Sequence, residues 1–202
     1  RADGYHELET VMHQIDLVDR LYFEEDHDIK VASDSREIPL GEQNLVYKAA
    51  KSILVKYGIK AGVKIFIEKN IPVGAGLAGG STDAAAALLG IDRFFSLGAD
   101  PGELFEIGAS LGSDVPFCLH GATALATGRG EILEAMPAGP MLTMLLVKPP
   151  YQVSTAEVYK GLALEHLDCR PDNPAFLLSW GKGDLKGIAA SMLDGLLYGA
   201  GD

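Results

Sequence analysis

The sequence predicts an α+β fold, and three observations carry that expectation. Val63, Ile65 and Ile67 alternate with Lys64, Phe66 and Glu68, the period-2 pattern of a half-buried strand. Other stretches are bracketed as helices, from Asn44 to a stop at Gly58 and from Pro101 to a stop at Gly112. Strands and helices are mixed without strict βαβ alternation, which favours α+β over a doubly wound sheet.

Taken in order, Leu8–Leu17 and Leu21–Glu25 read as short strands joined through Asp19-Arg20. Residues 26–40 are polar, contain Pro39, and read as a loop or an edge hairpin. Asn44 can cap a helix running to Tyr57, and Gly58 can end it. A strand over 63–68 follows, then a glycine-rich loop, then a helix from about Thr82 to Phe95. Pro101–Leu111 is a further helix. Gly121–Thr127 and Met141–Lys148 read as strands, the second so uniformly apolar that a central place in a sheet is expected. Pro149-Pro150 stops it, and helices fit Thr155–Leu167, Asn173–Trp180 and Asp184–Leu197. Helical density rises after Tyr151, so a domain boundary is expected there, between residues 1–150 and 151–202.

The 202 residues suffice for one good core or two small ones. A net charge of −11 speaks against general nucleic-acid binding, which needs clustered Lys and Arg. No stretch approaches the ~18 apolar residues of a membrane helix. Arg1-Ala2-Asp3-Gly4 has no apolar core of a secretory signal, and the lack of an initiator Met suggests residues upstream. Cys118 and Cys169 are isolated, which fits buried thiols in a reducing cytoplasm. His6, His13, His27, His120 and His166 show no i, i+4 pairing, so no metal site is assigned.

The chemistry concentrates in Pro72-Val-Gly-Ala-Gly-Leu-Ala-Gly-Gly-Ser-Thr-Asp83. Glycines let the backbone take positive φ and let a ligand approach closely. A helix that starts where such a loop ends offers unpaired N–H groups to a phosphate. Gly74–Gly79 matches G-x-G-x-x-G, a weak signal shared by unrelated folds. The dinucleotide reading lacks a strand running directly into the loop and a suitable acidic residue, since Asp100 lies in a helix-to-helix connection. No Gly-Lys-Ser/Thr closes a Walker loop, and no His-Arg-Asp or Asp-Phe-Gly triplet of protein kinases occurs. By itself the loop is equally well a helix entry with glycines for packing and Ser81 or Thr82 as N-cap.

The longer pattern P-x-G-A-G-L-A-G-G-S-[ST]-D-A-A-A resembles the ATP-binding motif of the small-molecule kinases named for galactokinase, homoserine kinase, mevalonate kinase and phosphomevalonate kinase (GHMP kinases). Other elements occur in the same order: Asp3-Gly-Tyr-His-Glu-Leu-Glu9, Asn44-Leu45, Lys69-Asn-Ile-Pro72, Leu111-Gly-Ser-Asp-Val-Pro-Phe117 and Lys148-Pro149. Together they resemble the branch of that family that phosphorylates the 2-hydroxyl of a cytidine-diphosphate-linked methylerythritol in non-mevalonate isoprenoid precursor synthesis. The Asp3-Gly-Tyr-His6 element is what sets that branch apart.

The resemblance implies a GHMP-kinase fold. Its N-terminal domain is a ribosomal-protein-S5-domain-2-like α/β sandwich, expected here without its first strands, and a ferredoxin-like C-terminal domain begins after it. It implies ATP and Mg²⁺ as cofactors, no nucleic-acid or membrane partner, a monomer or weak homodimer, and a cytoplasmic location of bacterial type, plastid not excluded. Gly74, Ala75, Gly76, Leu77, Ala78, Gly79, Gly80, Ser81 and Thr82 would wrap the ATP phosphates. Asn44, Leu45 and Lys69 match the adenosine pocket, against the plainer readings of an N-cap, a core leucine and a solvated strand-end lysine. Asp114 matches the catalytic aspartate that deprotonates the substrate hydroxyl, against a plainer cap for a helix at Val115-Pro116. Asp83, expected in a first helical turn, ranks below it as a dipole partner or Mg²⁺ ligand. Tyr5 and His6 match residues that grip the cytosine, where a stacked ring is worth roughly 1–3 kcal/mol. Tyr159 and Thr155 match the far side of the substrate pocket.

Two expected pieces do not occur in these residues: an A-K-I-N-L strand whose lysine sits beside the catalytic aspartate, and a late G-S-G-P-T segment. The chain is therefore expected to be a fragment or an incomplete gene product. A relative acting on another small alcohol, of mevalonate or homoserine type, and a truncated nucleotide-binding module without turnover remain the alternatives.

Overall fold

A computed structural model describes residues 8–137, 141 and 143–147. Strand β1 (Leu8–His13) is followed by β2 (Arg20–Asp26), β3 (Lys30–Ser33), helix α1 (Leu45–Lys56), β4 (Gly62–Glu68), α2 (Gly79–Phe95), α3 (Pro101–Leu111), α4 (Val115–His120), β5 (Thr123–Gly128) and β6 (Ile132–Ala135). Two three-stranded sheets result, ordered β1-β5-β6 and β2-β4-β3.

Strand β4 is central in its sheet, antiparallel to β2 and parallel to β3. Its register places Leu21 opposite Ile67 and Phe23 opposite Ile65. Val63, Ile65 and Ile67 are fully buried, as their alternation predicts. They join one core with Val46, Ala49, Ala50 and Ile53 of α1, Ala84, Ala87, Leu88 and Ile91 of α2, Leu104 and Ile107 of α3, and Val115 of α4. Gly90 sits inside α2 because a Cβ there would meet the Phe23 ring at 2.2 Å. The helix thereby lies close on the sheet, at the roughly 1 kcal/mol that an interior glycine costs relative to alanine.

The cap of α1 falls where the sequence puts it, and α3 begins at Pro101 as expected, with a cap that the sequence reading does not assign. Asn44 accepts from the Val46 N–H at 2.8 Å at the start of α1. Asp100 accepts from the N–H groups of Gly102 and Glu103 at the start of α3, which Pro101 begins.

Four expectations need correction. The segment 26–40 carries an edge strand, β3, pairing parallel to β4 with Val31 in the core, rather than a loop or hairpin. A single buried valine in a four-residue strand leaves little periodicity to read. Strand β6 was not anticipated; its pattern is nearly all exposed, and pairing to β5 makes it a strand. The first strand stops at His13, short of Leu17. Met141 and residues 143–147 lie in no strand, and Met141, Leu145 and Val147 are strongly exposed. An apolar run becomes a strand only where a neighbour offers a ladder, and neither described sheet pairs with it. The remainder of that expected strand and the three expected C-terminal helices lie outside the described residues.

Candidate active site

The glycine-rich segment leaves β4 through Lys69-Asn70-Ile71 and ends at α2. Gly74 and Gly76 have φ of 65° and 69°, and Ala78 has φ of 49°. These left-handed residues turn the loop back onto the helix it starts. Helix α2 begins at Gly79, three residues before the expected start, with Ala78 at the N-cap position and no side-chain cap. Ser81 and Thr82 therefore lie inside the helix, and neither caps it. The Thr82 hydroxyl donates instead to the Ala78 carbonyl at 3.0 Å and lies 3.4 Å from the Cys118 sulfur. With no side chain closing it, the first turn of α2 presents N–H groups at the end of a glycine loop, the geometry that favours an anion. Leu45 packs beside this turn, its Cδ1 3.7 Å from where a Cβ on Gly80 would stand.

Beneath the loop lies an ionic cluster that the sequence does not announce. Lys69 is not a solvated strand-end lysine. Its side chain is 5% exposed and pairs with Asp19, 1% exposed, and with Asp83 at 3.3 Å, 3% exposed. Asp19 also accepts from the N–H groups of Asn70 at 2.5 Å and Ile71 at 2.8 Å. Burial works to raise the Asp19 carboxyl, but the bonds from Lys69, Ile71 and Asn70 outweigh it and hold the group below its ordinary value. Asp83 goes the other way. Burial, with Asp19 nearby, outweighs the attraction of Lys69 and pushes Asp83 up to about 7. One oxygen of Asp83 is buried without a hydrogen-bond partner. Two carboxylates sharing one ammonium divide in this way, one staying charged and the other taking the proton. Asp83 is the fifth residue of α2, so it is not in the first turn and its expected role as a dipole partner does not hold.

Asp114 stands at the N-terminal end of α4 with φ −87° and ψ −16°, and its side chain makes no capping hydrogen bond. Among the described residues its half-buried carboxylate meets no hydrogen-bond or ion-pair partner, and burial raises its pKa. The plain capping role is therefore absent. Both Asp114 and Asp83 act electrostatically on Cys118, whose thiol burial chiefly raises, so the two acids border one region between α2 and α4.

Asn44 is committed on both sides of its amide, to the Val46 N–H and to the Pro39 carbonyl at 2.6 Å. Tyr5, His6, Thr155 and Tyr159 lie outside the described residues. Asp19 was missed because an aspartate between two strands reads as a connector; nothing in its neighbours marks it as buried. Among the described residues no group of three or more His, Cys, Asp or Glu side chains is placed to hold a metal ion. Nor is any helix there long and apolar enough to cross a membrane.

An uncapped helix behind a glycine loop, with a desolvated carboxylate nearby, defines a class when set beside known proteins. Residues 44–122 match the GHMP kinases N terminal domain, so the chain carries the fold of these small-molecule kinases. A homoserine kinase from Cytophaga hutchinsonii shares that fold at 19% identity and a TM-score of 0.62, covering 86% of this chain and 61% of that one. The chain is 54% identical over 193 residues to the 4-diphosphocytidyl-2-C-methyl-D-erythritol kinase of Syntrophomonas wolfei, covering 95% of this chain and 68% of the relative. It is 48% identical over 193 residues to the enzyme of that name from Listeria monocytogenes, covering 95% and 66%. A crystal structure of 4-(cytidine 5'-diphospho)-2C-methyl-D-erythritol kinase superposes with a TM-score of 0.70 at 36% identity, covering 91% of this chain and 66% of that one. The chain belongs to the 4-diphosphocytidyl-2-C-methyl-D-erythritol kinase family, and spans about two thirds of the length of these relatives.

Proposed function

We propose that this chain is the larger part of an ATP-dependent kinase that phosphorylates the 2-hydroxyl of 4-(cytidine 5'-diphospho)-2-C-methyl-D-erythritol. The reaction gives ADP and the 2-phosphate, a step of non-mevalonate isoprenoid precursor synthesis. The observation that carries this reading is 54% identity, over 95% of the chain, to a relative bearing that enzyme's name.

In this reading the 74–82 backbone receives the ATP phosphates at the uncapped start of α2, and Leu45 lies against the same turn. Asp114 accepts the proton of the substrate hydroxyl as its oxygen forms a bond to the γ-phosphorus and the bond to ADP breaks. A carboxylate free of capping and raised by burial is suited to that task, because catalysis here is mostly positioning and charge stabilisation. Mg²⁺ would neutralise phosphate charge. It commonly binds through one or two carboxylates plus substrate phosphates, so the lack of a three-ligand cluster among the described residues is compatible with it. Tyr5 and His6 on one side and Thr155 and Tyr159 on the other would hold the cytidine. The ATP-binding domain would end near residue 150, and residues 151–202 would begin the second domain. A cytoplasmic monomer or weak homodimer completes the reading.

Transfer of labelled phosphate from ATP to the cytidine substrate tests it, with mevalonate and homoserine as competing acceptors. Transfer to the cytidine substrate alone is expected. Transfer to another alcohol in preference, or none with the chain extended to its relatives' length, overturns the reading.

A further inference from the structure

Both ends of the glycine loop are fastened to the same buried ion pair. At the entry, Lys69 donates its backbone N–H to Asp34 at 3.0 Å, and Asn70 and Ile71 donate theirs to Asp19. The Asn70 side chain adds a bond to the Val18 carbonyl at 3.1 Å. At the exit, the Lys69 ammonium lies under the first turn of α2. A Cβ on Gly79 would stand 3.0 Å from it, and its second partner, Asp83, is one turn further along the helix. Asp19 is the only one of these residues that bonds both the entry backbone and the lysine.

We propose that Asp19 is a positioning residue for ATP, which holds the phosphate loop in register with α2 through the Asn70 and Ile71 N–H groups and the Lys69 ammonium. A cation at a helix N-terminus is unfavourable by itself, because the dipole there is positive. A buried lysine also needs a partner with good geometry. Asp19 meets both needs and, through the same carboxylate, fixes where the loop begins. Seven residues, 72–78, then span two anchored points, so the N–H groups of 73–78 have less freedom to lose when ligand arrives. Preorganisation of this kind changes ligand affinity without touching ligand, and a displacement of about 1 Å can cost on the order of 10²-fold.

The inference rests on the ATP reading above, so the experiment carries one arm independent of it. Asp19→Ala and Asp19→Asn are compared with the unaltered chain by titration with a non-hydrolysable ATP analogue, by titration with CMP, and by amide hydrogen exchange at residues 69–79. Asp19→Ala is expected to weaken the analogue about tenfold or more, leave CMP within about twofold, and speed exchange at Asn70 and Ile71. Asp19→Asn keeps an acceptor for those N–H groups but loses the charge, and is expected to fall between. Equal weakening of both ligands marks a merely structural role and overturns the proposal. Unchanged exchange at Asn70 and Ile71 overturns it too, whatever the ligands do. An unaltered chain that binds CMP but no analogue overturns the ATP reading instead, while exchange still decides whether Asp19 holds the loop.

Discussion

Asp83 and Asp114 both lie near the start of a helix, in α2 and α4, and both influence the same Cys118 thiol. Their surroundings differ. Asp83 is 3% exposed, is bound to Lys69, and keeps one oxygen buried without a partner. Asp114 is half-buried with its carboxylate uncommitted among the described residues. The first acid is already paired inside the protein, and the second has no partner among the described residues, as the proposed proton acceptor requires. What separates the two carboxylates beside the glycine loop is what each is already paired with.

The sharpest way to break this contrast is Asp114→Asn. Turnover is expected to fall about 10²–10⁴-fold, while the affinity for an ATP analogue stays within about twofold, measured by steady-state kinetics beside titration calorimetry. Thermal stability should hold or rise slightly, because no cap is lost and a desolvated charge is removed. A large stability loss would return Asp114 to a structural role.

Lys69→Met should show the opposite profile. Two carboxylates lose their shared cation inside the protein, which costs about 3–5 kcal/mol of stability in denaturant unfolding. A loss below about 1 kcal/mol would mean that the cluster is wetter than its burial indicates.

The pH dependence sharpens the contrast further. Asp83 has a folded pKa of about 7, above its ordinary value, so the folded protein binds more protons than the unfolded chain between about pH 4 and 7. Its contribution is complete below that window and is lost as pH rises through it, at most about 4 kcal/mol. Asp19, held low, contributes in the other sense, losing its stabilisation as pH falls through its folded pKa. Melting temperatures across pH 4–8 should decline toward neutrality, and Asp83→Asn should flatten that decline. An identical slope in the variant would remove Asp83 as its source.

The smallest effect belongs to a pair on the same sheet. Lys64 and Glu24 meet at 2.8 Å across β2 and β4, with side chains 43% and 66% exposed. Lys64→Ala should cost no more than about 1 kcal/mol by the same denaturant measurement. Against Lys69→Met, it measures what burial adds to one and the same kind of ion pair.

The sequence by itself determined the α+β class, the cap at Asn44, the start of α3 at Pro101, the core face of β4, the glycine loop and the family. Each of these is written in local chemistry: a period, a capping side chain, a motif in order along the chain. Only the tertiary structure decided that Lys69 is buried, that Asp19 is its partner from 50 residues away, that Asp83 is consumed while Asp114 is not, and that Val31 joins a parallel edge strand. It also left 143–147 unpaired, where composition alone predicted a central strand. The physical reason is common to all of them. Burial and pairing are properties of what the fold brings alongside a residue, and a charge or an apolar run carries no local mark of the neighbours it will meet.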